Sequence, residues 1–137
     1  MAQNDMSVIA DLKRHEGFRA KPYLCTAGRL TIGYGLNLDA GISQEEATLL
    51  LEHRVRLLQE QLKAILPFYA NLSQRRQDVL TNMAYQLGID GLMKFVKTLR
   101  HLSQGEYGAA ADQMMMSLWA SQTKRRAIEL ADVMRRG

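Results

Sequence analysis

The chain has 137 residues, 18 Lys and Arg against 14 Asp and Glu, a formal charge of +4 and one cysteine. At this length folding buries roughly two-thirds of the unfolded surface, so residues 1–137 are expected to form one domain without disulfide or structural-metal support. The single Cys25 excludes an internal disulfide and any zinc site built on paired cysteines; no metal and no cofactor are expected. The basic residues are scattered except at Arg75-Arg76, Lys124-Arg125-Arg126 and Arg135-Arg136, so they make no disordered nucleic-acid arm. No apolar run approaches the ~20 residues that span a bilayer, and Met1 to Ser7 carries no apolar signal segment.

In chain order, residues about 5 to 15 read as an amphipathic helix with Val8, Ile9 and Leu12 on one face and Gly17 as its stop. From 19 to 39 the period changes. Leu30, Ile32, Tyr34, Leu36 and Leu38 alternate with Thr31, Gly33, Gly35 and Asn37, which predicts a half-buried strand or hairpin interrupted by glycine turns. Ser43-Gln44-Glu45-Glu46 is a capping box, and Ala47, Leu50, Leu51, Val55, Leu58, Leu62, Ile65 and Leu66 continue it as a long helix stopped by Pro67. Ser73 caps a helix whose inward face is Val79, Leu80, Met83, Ala84 and Leu87, with Gly88 at its end. Leu92, Phe95, Leu99 and Leu102 mark another, closed by Gly105, and helical segments are expected at about 106–117 and 124–135. The order of helix, small sheet and then helices only predicts a mostly helical α+β fold.

Several chemistries lack their residues. Gly33-Tyr34-Gly35-Leu36-Asn37-Leu38 lacks the third glycine of a dinucleotide loop, and no P-loop is present. His15-Glu16 begins a zinc-protease motif, but Arg19 stands where the second histidine belongs. No Gly-x-Ser-x-Gly elbow occurs. His15 points along a different helix face from Glu16 and carries no chemistry, and His53 and His101 read as solvated. What remains is Glu16, a carboxyl between the first helix and a glycine-rich hairpin. At such a junction it reads either as a surface glutamate or as a cleft residue whose partial burial keeps it protonated for general-acid work.

The stretch from His15 to Gly35 decides between these. Glu16, eight residues, Cys25, five residues, Thr31, then Ile32-Gly33-Tyr34-Gly35 closely resembles the active-site segment of the phage-type lysozymes, with Cys25 in place of an aspartate. Asn82-Met83-Ala84-Tyr85-Gln86-Leu87-Gly88 resembles the core helix of the family, and Ser117 to Thr123 with Arg126 resembles its Trp/Gln-Thr/Arg segment. Leu36 departs from the histidine many members carry.

The resemblance implies a two-lobed lysozyme-like fold. A small N-terminal β-hairpin lobe at about 12–45 and a C-terminal helical lobe at about 67–137 plus the first helix would be joined by the helix at about 43–66, with a cleft between the lobes. It implies a muramidase, a glycoside hydrolase cleaving the β-1,4 bond between N-acetylmuramic acid and N-acetylglucosamine in peptidoglycan, used for bacterial lysis. By the same resemblance Glu16 is the general acid, Thr31 helps place the attacking water, Gln86 and Trp119 line the substrate cleft, and Arg126 approaches Glu16. Trp119 reads equally as a core aromatic, and Asn82 as a packing residue. The partner implied is the peptidoglycan substrate, with no nucleic acid and no stable membrane insertion. A monomer is expected, held in the host cytoplasm until a separate pore-forming protein lets it reach the wall.

Cys25 leaves the mechanism open. An ordinary thiol, with a pKa near ~8.5, is only ~3% thiolate at pH 7. Cys25 is then a nucleophile forming a covalent glycosyl-enzyme, or a bystander beside Glu16 and Thr31, or the mark of an inactive glycan-binding relative. A lytic transglycosylase is the neighbouring alternative, since it needs the acid but no water-activating group; a basic helical nucleic-acid-binding module is the distant one.

Overall fold

A computed structural model describes residues 3–137. The chain divides into two compact units, Met1–Leu49 and Leu50–Gly137.

The first unit begins with α1 (Gln3–Glu16). Gly17 ends it with φ of 69°, and its N–H donates to the Lys13 carbonyl at 3.0 Å. The sequence reading groups this helix with the C-terminal helices; by residue range it lies in the first unit. Its apolar residues Val8, Ile9 and Leu12 are exposed. Three short antiparallel strands follow in the order β1 (Arg19–Leu24), β2 (Leu30–Gly33) and β3 (Leu36–Asn37). Tyr23 pairs with Thr31 and Leu24 with Leu30, but between Arg19 and Tyr23 the register shifts. Pro22 lies in that irregular stretch of an edge strand, where its missing N–H removes no ladder bond. The alternating run predicted from Leu30 to Leu38 is thus a hairpin, turned at Gly33 and Gly35. Its apolar parity is not the buried one. Leu30, Tyr34 and Leu36 are exposed, whereas Thr31 is buried.

The capping box forms as its residues dictate. Glu46 N–H donates to Ser43 Oγ at 3.1 Å, and Ser43 N–H donates to Glu46 Oε1 at 2.8 Å. It opens α2 (Gln44–Ile65), and the boundary between the units falls within this helix. The helix ends two residues before Pro67, whose ring disfavours helical backbone at Leu66. Of its predicted apolar face, Leu62 and Leu66 are buried while Leu50, Leu51 and Ile65 are exposed.

The second unit is all helical. Ser73 caps α3 (Gln74–Met93) by accepting from Arg76 N–H at 3.2 Å. Gly88, at φ of 77°, ends the first stretch of α3 as the sequence predicts, and a second helical stretch continues to Met93, so Leu92 lies there rather than in the helix of Leu99 and Leu102. Phe95 is then the N-cap of α4 (Val96–Ser103). The segment expected at 106–117 is α5 (Tyr107–Met115). A helix absent from the sequence reading, α6 (Leu118–Thr123), follows with Ser117 Oγ accepting from Ala120 N–H at 3.1 Å. The chain reverses at Lys124, at φ of 40°, into α7 (Arg125–Arg136). The hydrophobic core draws on the end of α2, the segment after it and α3 to α7, with Leu62, Leu80, Met83, Leu92, Leu102, Met114 and Met134 almost fully enclosed. Arg76 ties its two ends together. Nε donates to the Met134 carbonyl at 2.8 Å, Nη2 donates to the Arg135 carbonyl at 3.1 Å, and the guanidinium lies 3.6 Å from the centre of the Tyr107 ring. Two terminal carbonyls of α7 are thereby satisfied.

Candidate active site

The first unit holds three of the predicted residues. Glu16 is the last residue of α1, and Gly35 lies against its carboxyl group. A Cβ at Gly35 would collide with Glu16 Oε2, and the backbone there has φ of 74°, so both space and conformation call for glycine. The turn that carries Gly35 is held along the same helix. Lys13 Nζ lies 5.7 Å from the Tyr34 ring centre, and the Tyr34 ring meets Phe18 at 5.6 Å. Glu16 is nevertheless exposed. The partial burial expected of a junction carboxyl is therefore not provided by the hairpin against which it rests.

Cys25 closes the β1–β2 hairpin. Its N–H donates to the Arg29 carbonyl at 2.9 Å, and its carbonyl accepts from Gly28 N–H at 2.8 Å. With Gly28 at φ of 77°, Thr26-Ala27-Gly28 is a three-residue hairpin loop whose last residue is left-handed. The loop turns backbone donors toward the thiol. The Arg29 N–H, followed by the Ala27 N–H, holds the thiol below its usual range, against the opposing effect of partial burial; the Thr31 hydroxyl and the Arg29 charge act in the same downward direction. Thr31 Oγ1 donates to the Arg29 carbonyl at 2.9 Å. A hydroxyl has one proton, so stabilising a thiolate requires that proton to turn from the carbonyl to sulfur. The structure thus brings Cys25 and Thr31 together, as their five-residue separation in a hairpin suggests.

The second unit holds the other three. Trp119 is 5% exposed, its indole N–H donates to Gln86 Oε1 at 2.9 Å, and its ring meets Phe95 edge-on at 5.9 Å. The two readings of Trp119 coexist: the ring belongs to the core, while its polar edge fixes the exposed Gln86. Arg126 is held by Asn82. Nε and Nη2 both donate to Asn82 Oδ1, at 2.9 and 2.6 Å, and Nη2 also donates to the Asn82 carbonyl at 3.3 Å. Asn82, read from the sequence as a packing residue, thus fixes the Arg126 guanidinium. Gly35 and Phe95 were missed as well; the Ile-Gly-x-Gly run was the available signal for the first. Among the described residues no group of three or more His, Cys, Asp or Glu side chains is placed to hold a metal ion.

Residues 13–136 match the phage lysozyme family model. The chain belongs to the phage lysozyme family. It is 32% identical to the pre-baseplate central spike protein Gp5 of Enterobacteria phage T4 over 90% of its own length, while spanning 26% of that protein. It is 32% identical to an endolysin of Acyrthosiphon pisum secondary endosymbiont phage 1, covering 76% of this chain and 72% of the relative. A probable T4-type lysozyme of Dictyostelium discoideum is 28% identical over 92% of each chain. The phage lysozyme membership supports a glycosidase-type hydrolase with peptidoglycan as substrate. No helix among the described residues is long and apolar enough to cross a membrane.

Proposed function

We propose that this phage lysozyme chain is a muramidase, hydrolysing the β-1,4 bond between N-acetylmuramic acid and N-acetylglucosamine. The observation that carries the reading is the chemistry gathered on one hairpin unit: Glu16 against Gly35, and a thiol of lowered pKa beside Thr31. Glu16 acts as general acid, giving its proton to the glycosidic oxygen as the C1–O bond breaks. Cys25, as thiolate, attacks C1 and forms a thioglycosyl-enzyme. Water then displaces sulfur at C1, its proton passing to the Glu16 carboxylate, with the Thr31 hydroxyl placing that water. Two displacements retain the anomeric configuration. Gln86, fixed by the Trp119 indole, binds the glycan through its free amide, and Asn82 holds Arg126 in a set orientation.

The hydrogen bonds and charge around Cys25 favour the nucleophile over the bystander, because they favour the thiolate form. The function served is bacterial lysis by a monomer, which reaches the wall from the host cytoplasm once a separate pore-forming protein has opened the membrane. Turbidity of outer-membrane-permeabilised bacteria tests the catalytic assignment. Wild type should clear them, and Glu16→Gln should lose about a thousandfold in rate. Equal clearing by both proteins would remove Glu16 from the mechanism.

A further inference from the structure

The peptide unit between Arg29 and Leu30 is held from both sides. Its carbonyl accepts from Cys25 N–H and from Thr31 Oγ1, each at 2.9 Å. Its N–H, that of Leu30, donates to Asp39 Oδ2 at 3.1 Å. The strand pattern explains why a side chain is used there. The carbonyl and N–H of one trans peptide point opposite ways, so the carbonyl meets β1 and the N–H faces the β3 side. Strand β3 pairs with β2 at Thr31–Asn37 and Ile32–Leu36, and so ends before its backbone can reach Leu30. The chain then turns through the short 3-10 segment Leu38–Ala40, capped at its start by Asn37 Oδ1, which accepts from Asp39 N–H at 3.0 Å. That turn returns Asp39 beside β2, where its carboxylate takes the place of a strand acceptor.

We propose that Asp39 is a positioning residue for the Cys25–Thr31 pair: by holding the Leu30 N–H it fixes the one peptide to which both residues are anchored. Cys25 and Thr31 lie on opposite sides of the hairpin loop and share the Arg29 carbonyl. Arg29 also carries the N–H that acts on the thiol, one Cα away from the anchored peptide. A hydrogen bond to a charged carboxylate is among the stronger ones and resists rotation of that peptide. Without it the plane can turn, taking the carbonyl from Thr31 Oγ1 and the Arg29 N–H from sulfur. Asp39 touches no reacting atom and acts only through Cys25 and Thr31. Its consequence for turnover rests on the muramidase reading, whereas its hold on the thiol does not.

Alkylation of Cys25 by iodoacetamide across pH, in the full chain without substrate, tests the hold. Asp39→Ala should move the onset of alkylation up toward the ordinary thiol range. The direction separates position from charge, because removing a nearby negative charge would by itself favour the thiolate and move the onset down. Asp39→Asn loses the charge but keeps an acceptor oxygen, and should not move the onset up. In steady-state cleavage of purified sacculi, Asp39→Ala should lower kcat about tenfold with KM unchanged, and Asp39→Asn should stay within about threefold of wild type. Asp39 is exposed, so neither change opens a cavity, and the thermal midpoint should fall by no more than about 4 °C. An unchanged or lowered alkylation onset in Asp39→Ala, or an equal upward shift in Asp39→Asn, would overturn the proposal. If the onset shifts as expected while Cys25→Ser keeps wild-type turnover, Asp39 still holds the thiol and only the nucleophile reading fails.

Discussion

The two units divide their work in a way their composition makes visible. Met1–Leu49 contains Glu16, Cys25 and Thr31, and Thr31 is its only buried residue among those described at side-chain level. All five of its glycines have positive φ, so its form rests on turns that only glycine takes cheaply. Leu50–Gly137 contains the whole buried apolar core, from Leu62 to Met134. On the proposed mechanism, the contrast teaches that in this chain chemistry sits on backbone geometry and stability on side-chain packing. Substitutions in the first unit should therefore strike activity, and those in the second should strike folding.

After the thousandfold loss expected for Glu16→Gln, the largest effect within this contrast is at Cys25. Cys25→Ser should cost at least ~100-fold in kcat, about 2.7 kcal/mol of barrier, whereas Cys25→Asp should retain activity. Steady-state cleavage of purified sacculi measures both, and wild-type turnover in Cys25→Ser would make the cysteine a bystander. The thiol also predicts a pH dependence. Because the folded environment lowers its pKa, the thiolate persists to lower pH than an ordinary thiol would allow. The rise of activity with pH should accordingly begin below the ordinary thiol range and vanish in Cys25→Asp. Iodoacetamide labelling should follow the same profile in wild type.

Gly35→Ala comes next. The added methyl meets Glu16 and is forced into positive φ, a strain of about 1–2 kcal/mol. Activity should fall about tenfold, in proportion to the displacement of the carboxyl group. An unimpaired Gly35→Ala enzyme would show that the approach of backbone to Glu16 does not matter.

In the second unit the direction reverses. Asn82→Ala removes the acceptor of two Arg126 hydrogen bonds and should cost about 1–3 kcal/mol in chemical denaturation. A loss of turnover without loss of stability would instead make Arg126 part of the chemistry.

The smallest effect is expected at the capping box. Ser43→Ala should cost about 1 kcal/mol in stability and leave the rate per folded molecule unchanged. It lies in the first unit but away from the hairpin, and so separates position in that unit from participation in the reaction.

How far the sequence could be read follows the same division. Breakers and caps placed most elements: Gly17, Ser43 with Glu46, Pro67, Ser73 and Gly105 act by local backbone chemistry, which a sequence carries in full. The α6 helix was missed because Leu118 to Thr123 is too short to display a period. Burial was misread where periodicity was the guide. Leu50 and Leu51 repeat like core residues of α2 yet are exposed, because apolar spacing identifies a face without saying what covers it. Within the site, Cys25 and Thr31 were legible through their resemblance to the family's motif, and the hairpin then brings their close spacing together in space. The Asn82–Arg126 pair joins residues 44 apart in sequence through packing of α3 and α7, which no local pattern encodes.

Mass analysis of the fragments released from purified peptidoglycan tests the central claim most directly. Hydrolysis by wild type predicts fragments ending in reducing N-acetylmuramic acid, each carrying the added water. Fragments ending in anhydro-muramic acid, or reducing N-acetylglucosamine ends, would contradict the muramidase assignment.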